Sequence, residues 1–294
     1  MKDLEHINCN YCGSDDYTVR YIVDGYNYVQ CNNCSLVYVN PRIKSDAILN
    51  QYDDDYFKGS GFDKSIDYET EYLSNLSIKD LNDWDITVIK SLIKFSGDKS
   101  YKLLDAGCGM GLFLTKAKKA GFEVEGLEFS KYAAEFVESK GLKVQNTTID
   151  DALLPQENYD VIVMKEVIEH LPDPKKSLAK IYGALKPGGL LFMTTGNYDC
   201  PERKVRGKDW FYFMPTGHLY IFSNKTMKAY LQSAGFGKIN VTNQGDLLHQ
   251  MMLDKKIFSV DEPVPRKLLN RIIFKSVRAL NHFISSGMRI YAFK

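Results

Sequence analysis

The sequence predicts an α/β fold in which a small cysteine-bearing ribbon precedes a mostly parallel sheet wound with helices. Three observations carry this expectation. The stretch YKLLDAGCGMGLFLTKAKKAGFEVEGLEFS, residues 101–130, reads strand, glycine turn, helix, strand, and ends in an acid. Strand-like and helical stretches go on alternating to about Phe236, the pattern of a parallel sheet wound with crossover helices. Two Cys-x-x-Cys pairs stand near the start of the chain.

At 294 residues the chain can bury a sizeable core and hold one domain plus additions. Lys and Arg number 38 against 37 Asp and Glu, so no overall charge draws it to nucleic acid or to an anionic membrane. The opening residues MKDLEHINCN are polar, and no apolar run approaches the roughly 18 residues of a membrane span. Neither a signal peptide nor a spanning helix is expected. Six cysteines, four of them in Cys-x-x-Cys pairs, favour metal in a reducing compartment over disulfides, so the expected location is cytoplasmic.

Cys9-x-x-Cys12 and Cys31-x-x-Cys34 are separated by 18 residues, inside the window for a four-cysteine zinc site. Each pair predicts a tight knuckle, with Gly13 releasing the first. Residues 17–23 and 26–31 read as a hairpin about Asp24-Gly25, a strong turn dipeptide. Four thiolates leave no open coordination position, so such a metal is structural and holds a segment too short to build its own core. Ribbons of this kind also bind nucleic acid, yet Arg20 is the one basic residue between the knuckles, which argues against that partner. Asn40-Pro41 ends the ribbon. Residues 63–95 read as mostly helical, with Trp84, Ile86, Val88, Ile89, Leu92 and Ile93 as an apolar face.

The first core strand is expected over 102–106 and the first helix over 112–120, with glycines at 107, 109 and 111 between them. Glycine lets backbone approach a ligand, and a helix start offers unpaired N–H groups beside a positive dipole end. The second strand, 122–127, ends at Glu128, which lies 21 residues after Gly107, near the offset of about 20 at which an acid meets ribose hydroxyls. A dinucleotide site wants G-x-G-x-x-G, whose third position falls here on Leu112 or Leu114. The pattern present is Asp105-x-Gly107-x-Gly109-x-Gly111.

Ser130 and Gly141 bracket a second helix, and 142–145 is a third strand. Asp150 and Asp151 follow, ahead of Leu153-Leu154-Pro155. Residues 159–164 form an apolar fourth strand, buried on both faces by expectation. It delivers KEVIEHLPDP, 165–174, in which Asp173 caps and Pro174 starts the next helix. Ligands of open α/β sheets bind beyond the carboxyl ends of strands, so Glu166, Glu169 and His170 stand where chemistry is expected. A fifth strand is expected over 190–194. The long connection 196–222 carries WFYFM at 210–214, read as one wall of an acceptor pocket or as packing alone, and His218. Ser223 and Gly235 bracket a further helix. The last strands are expected over 236–241 and 288–293, with a basic amphipathic helix over 266–283 between them that can serve as a lid, an oligomer contact or a peripheral membrane contact.

Over about 102–236, the D-x-G-x-G-x-G turn and the acid after the second strand resemble class I S-adenosylmethionine (SAM) methyltransferases. CNNCSLVYVNPR followed by YDDDYF resembles the N-terminal module of zinc-ribbon methyltransferases of surface-polysaccharide and natural-product pathways. The resemblance implies a Rossmann-like class I methyltransferase sheet behind a structural Zn²⁺ ribbon, divided as ribbon 1–45, helical cofactor cover 46–100, SAM-binding core 101–243 and C-terminal insert 244–294. It implies that Asp105, Gly107, Gly109 and Gly111 hold the methionine part of SAM, that Glu128 holds the ribose, and that Asp150, with Asp151 as the alternative, accepts from the adenine amino group.

The activity so implied is O-methylation of a sugar-like or other hydroxylated small molecule, with a nucleotide-linked or lipid-linked sugar as the acceptor type. His170 is expected as general base and His218 as the residue orienting the acceptor. The spacing Glu166-x-x-Glu169-His170 also resembles ubiquinone-pathway O-methyltransferases and small-RNA 2′-O-methyltransferases, in which this segment binds a divalent cation; Mg²⁺ or Mn²⁺ at Glu166, Glu169, His170 and His218, and RNA as acceptor, stay open on that resemblance. A non-catalytic SAM-binding interaction protein is the third reading, against which the intact glycine turn and the histidines argue.

Overall fold

Seven strands form the central sheet of the computed structural model, which describes residues 4–44, 47–48, 51, 54–59, 70, 83–243 and 286–294. The basic stretch 266–283 and most of the helical stretch before residue 83 lie outside these residues. In chain order the strands preceding the core are β1 (Leu4–Glu5), β2 (Tyr17–Val23), β3 (Tyr26–Cys31), β4 (Val37–Val39) and β5 (Arg42–Ile43). The core follows as α1 (Trp84–Leu92), β6 (Lys102–Ala106), α2 (Leu112–Lys119), β7 (Glu123–Glu128), α3 (Lys131–Ser139) and β8 (Val144–Asn146). It continues with β9 (Tyr159–Lys165), α4 (Pro174–Ala184), β10 (Leu185–Gly196), α5 (Pro201–Arg206), β11 (Tyr220–Ile221), α6 (Asn224–Ser233), β12 (Ile239–Asn243) and β13 (Gly287–Phe293).

The sheet order is β12-β13-β10-β9-β6-β7-β8. β6 through β10 pair in parallel, while β13 runs antiparallel to β10 and β12. This is the Rossmann-like sheet the sequence led us to expect. The chain winds outward from β6 to β8 and then resumes at β9 on the other side, so the switch point lies between the carboxyl ends of β6 and β9.

Period-two alternation divides the core. Leu104, Ile162, Met164, Leu191 and Met193 face one side, with Leu178 and Ile181 of α4 and the ribbon residues Val29, Leu36 and Tyr38. Leu103, Val161, Val163, Leu190 and Phe192 face the other, against Ile86 and Ile89 of α1 and Phe113 and Ala117 of α2. Trp84 and Leu92, expected on the buried face of that first helix, are exposed instead. α1 begins at the Asp83 cap, and Asp85, Ile86 and Ile89 are its buried residues.

Several boundaries differ from expectation. β10 starts at Leu185, five residues early, because Leu185 pairs with Tyr159 before the Lys-Pro-Gly-Gly run bulges out and Leu190 resumes opposite Val161. Ser130 precedes α3 but its hydroxyl caps nothing; its N–H is taken by Glu128 instead. Asp173 and Ser223 do cap, accepting from the N–H groups of Lys176 and Thr226 at 3.1 and 3.2 Å.

The ribbon hairpin turns at Asp24 and Gly25, both at positive φ as a two-residue type I′ turn needs. Its sheet has four strands, ordered β11-β4-β3-β2, and the first of them comes from the far end of the chain. Tyr220 and Ile221 of β11 pair antiparallel with Tyr38 and Val37.

Candidate active site

Between β6 and α2 the chain makes a left-handed turn, with Gly107, Gly109 and Gly111 at φ of +83°, +52° and +76°. A Cβ on Gly107 would come 2.6 Å from Val167 Cγ2, and one on Gly111 would come 2.9 Å from Val137 Cγ2. Gly107 is therefore required by the approach of Val167, in the acid–histidine segment 166–173. Gly109 meets only Phe57, at 4.0 Å.

Glu128, buried at the end of β7, braces this turn. Its two carboxylate oxygens accept from Gly109 N–H at 2.9 Å and Ser130 N–H at 2.8 Å. Burial lifts its pKa to about 6, against the pull of the Ser130, Gly109 and Phe129 N–H groups. Asp105 is buried as well, and burial lifts it to about 7, with Lys165 pulling down and Glu128 pushing up. Among the described residues no hydrogen bond engages its carboxylate.

Asp150 accepts from the Ser177 hydroxyl at 2.6 Å and lies 3.5 Å from Lys176 Nζ, which ties it to α4. Asp151 accepts from Thr148 Oγ1 at 2.7 Å in a local turn.

Across the switch point, β9 ends at Lys165 and the segment 166–173 begins in strain. Glu166 holds φ of +52°, which costs a non-glycine residue on the order of 1 kcal/mol, while its N–H donates to the Thr194 carbonyl at 3.0 Å. The next residues form a 3-10 turn, Ile168–His170. Glu169 is fully buried and accepts from the Thr195 hydroxyl at 2.9 Å and from the Tyr212 hydroxyl in a short bond. The same phenol lies 3.0 Å from Glu166 Oε2, so one tyrosine bridges the two glutamates. Burial raises both carboxyl pKa values, Glu166 further through the Glu169 charge. Glu166 is nevertheless exposed to solvent.

The two histidine rings meet edge to face, 4.7 Å between centroids. His170 Nδ1 lies 3.0 Å from the Gly217 carbonyl, and His218 Nδ1 lies 2.7 Å from the Tyr212 carbonyl. A carbonyl only accepts, so each Nδ1 carries the proton and each Nε2 is the basic nitrogen of the neutral ring. Burial holds the His218 pKa well below its ordinary value, and His170 adds to this. Donor atoms of Glu169, His170 and His218 all lie within 4.8 Å of one another, so these three can hold a cation; Glu166 stands outside that group.

Sequence reasoning missed several parts of this site. The aromatic run 210–214, read as a pocket wall or as packing alone, packs Trp210, Tyr212 and Phe213 against the ribbon residues Tyr28, Val37 and Val39, while the Tyr212 ring meets His218 at 4.2 Å between centroids and its hydroxyl meets both glutamates. Asp85 was unassigned, yet it accepts from Lys165 and Arg289 at 2.8 Å each. Its pKa falls because those two cations outweigh its burial. No periodicity marks any of these residues.

Cys9, Cys12, Cys31 and Cys34 do come together, with all four sulfurs within 4.8 Å. Two pairs are closer, Cys9–Cys34 at 3.4 Å and Cys12–Cys31 at 3.5 Å. Tetrahedral Zn–S bonds of about 2.3 Å put sulfurs roughly 3.8 Å apart, so the donor set fits Zn²⁺. The knuckles match: each closes with an N–H donated back to its first cysteine carbonyl, from Gly13 at 2.8 Å and Ser35 at 2.9 Å, both at positive φ. A separate cavity of about 420 Å³, lined by Lys102, Glu125, Lys143 and Tyr159 among others, sits at the amino ends of the strands, away from this chemistry.

A family model described as a methyltransferase domain matches residues 84–241. The ubiquinone biosynthesis O-methyltransferase of Actinobacillus pleuropneumoniae serotype 7 is 36% identical over 115 residues, 35% of this chain and 49% of that protein. The protein of the same name from Cereibacter sphaeroides is 33% identical over 153 residues, 49% of this chain and 58% of that one. The chain thus spans about half the length of the curated relatives it matches. A SAM-dependent methyltransferase from Mesorhizobium loti superposes with a TM-score of 0.52 at 16% identity, covering 73% of this chain and all of that one. One from Archaeoglobus fulgidus gives 0.50 at 23%, covering 72% and 93%. At such identities these structures share the fold.

Proposed function

The chain belongs to the methyltransferase domain family, and from that premise we propose that it transfers the methyl group of SAM to a hydroxyl of a small, sugar-like or otherwise hydroxylated acceptor. The observation that carries this reading is the meeting of the glycine turn with the acid–histidine segment, where Gly107 lies against Val167 and Glu169, His170 and His218 converge. Asp105, buried and without a hydrogen bond among the described residues, suits the cofactor's ammonium, and Glu128 the ribose hydroxyls. Asp150 is assigned to the adenine amino group, with Asp151 as the alternative, while its bond from Ser177 braces α4.

SAM supplies an electrophilic methyl on a sulfonium. The acceptor oxygen attacks the methyl carbon in line, the C–O bond forms as the S–C bond breaks, and S-adenosylhomocysteine leaves neutral at sulfur. The protein chiefly aligns the reactants, an effect worth up to roughly 7–11 kcal/mol. The acceptor proton passes to His170 Nε2, with Glu169, whose Oε1 lies 4.0 Å away, offsetting the positive ring. His218 orients the acceptor. A nucleotide- or lipid-linked sugar falls within the proposed class. In the ribbon, the four cysteine thiolates would hold a structural Zn²⁺.

A second reading is favoured by one observation: both imidazoles hold Nδ1–H against a carbonyl, the outer bond that metal-ligating histidines usually make, which leaves each Nε2 with its lone pair. Mg²⁺ or Mn²⁺ there would lower the pKa of an acceptor hydroxyl. Methyl transfer from labelled SAM to a panel of polyhydroxy acceptors tests both. His170→Ala is expected to lower turnover about 10²-fold or more and to leave SAM affinity within about 1 kcal/mol. If EDTA that spares the ribbon metal removes all activity and Mg²⁺ or Mn²⁺ restores it, the direct-base version is wrong.

A further inference from the structure

The ribbon and the acid–histidine segment are joined by bonds that the roles above do not require. Asn10, between Cys9 and Cys12, donates Nδ2–H to Asp173 Oδ1 at 2.9 Å and accepts from the Tyr230 hydroxyl at 2.9 Å. That same Asp173 oxygen caps α4. Arg42, buried at the start of β5, donates Nη1–H to the Pro172 carbonyl at 3.0 Å and Nε–H to Glu5 at 2.9 Å. Tyr28, three residues before Cys31, donates its hydroxyl to the His218 carbonyl at 3.1 Å. Val39 N–H donates to the Leu219 carbonyl at 2.9 Å, and Leu219 N–H donates onward to the Glu169 carbonyl at 2.8 Å.

Both halves of the acid–histidine cluster are thus attached to the ribbon. His170 precedes Pro172 and Asp173, which Arg42 and Asn10 hold; His218 precedes the strand that completes the ribbon sheet. The glycine turn and Glu128 are built from β6, β7 and the start of α2, and among the described residues the ribbon makes no hydrogen bond to them.

We propose that the four-cysteine ribbon is a clamp that sets Glu169 and His170 against His218, with Asn10, Arg42 and Tyr28 as its positioning residues. The knuckle fixes Asn10, Asn10 fixes the Asp173 cap, and the cap fixes the end of segment 166–173. Loss of order at the knuckle therefore loosens the acceptor side and leaves the cofactor turn intact. The assignment of this cluster to the acceptor side rests on the methyltransferase reading; the clamp itself rests on the bonds.

The test is hydrogen–deuterium exchange on the full chain with its ribbon metal in place, beside calorimetry with S-adenosylhomocysteine. N10D sets two carboxylates face to face. The swap N10D/D173N exchanges donor and acceptor; a turn of the side chain at position 173 lets its amide nitrogen donate to the carboxylate at position 10 while its amide oxygen accepts from Lys176 N–H. N10D is expected to raise exchange over 166–173 at least about fivefold, the scale of one lost hydrogen bond, with 103–112 unchanged. The swap returns 166–173 to near the wild-type rate, and affinity for S-adenosylhomocysteine stays within about twofold throughout. Tyr28→Phe, which keeps the ring, raises exchange over 217–220 alone. Wild-type exchange over 166–173 in N10D, an equal rise over 103–112, or a swap without recovery each overturns the clamp. A wild-type protein that binds no S-adenosylhomocysteine overturns the methyltransferase reading and leaves the exchange pattern to decide the clamp.

Discussion

The Tyr28 hydroxyl donates to the His218 carbonyl at 3.1 Å across 190 residues of sequence, and both residues are buried. Burial pushes the phenol pKa well above its ordinary value, so the proton stays on the oxygen that donates it. Tyr28→Phe keeps the ring contact with Phe213 but leaves a buried carbonyl without this donor. Urea denaturation should show a loss of about 1–2 kcal/mol. An unchanged midpoint would mean the carbonyl finds another donor.

The ribbon should carry about one zinc per chain, and Cys31→Ser should lose it, since removing one thiolate opens a closed structural site whose binding energy is part of the folding energy. Metal analysis of the purified protein before and after the change reads this directly. A fully folded wild-type protein free of metal would refute the assignment.

Asp105 gives a pH signature. Its folded pKa, about 7, lies above its ordinary value of 3.8 because burial disfavours the charge. The folded state therefore holds the proton more tightly. This contribution to stability is complete below about pH 4 and is lost as pH rises through about 7. Relative to wild type, Asp105→Asn in the cofactor-free protein should gain on the order of 3 kcal/mol between pH 4 and pH 8. Urea denaturation of both proteins across that range checks it; parallel curves would show that the carboxylate ionises freely.

Much of this was legible in the sequence because it rests on local chemistry. Glycines at 107, 109 and 111 mark a left-handed turn, Asp173-Pro174 marks a helix start, and Asp24-Gly25 marks a hairpin, each needing only neighbours to act. The acid–histidine segment was found by its place at a strand end. What stayed hidden was pairing over distance. Nothing about Tyr220 and Ile221 announces that they complete a sheet begun at residue 17, and nothing in the run 210–214 singles out Tyr212 as the phenol between two glutamates. Asp150 adds a contact that no spacing announces: its carboxylate accepts from the Ser177 hydroxyl and so braces α4.

The central claim is that the turn 105–111 with Glu128 is a SAM site, and titration calorimetry with S-adenosylhomocysteine tests it most directly. One molecule should bind per chain. Glu128→Gln should weaken binding by roughly 1.5–3 kcal/mol through the lost charge-assisted bonds to ribose. Gly107→Val should abolish it, since its Cβ alone would stand 2.6 Å from Val167 Cγ2. Binding of NAD in place of S-adenosylhomocysteine, or unchanged affinity in Glu128→Gln, would contradict the account.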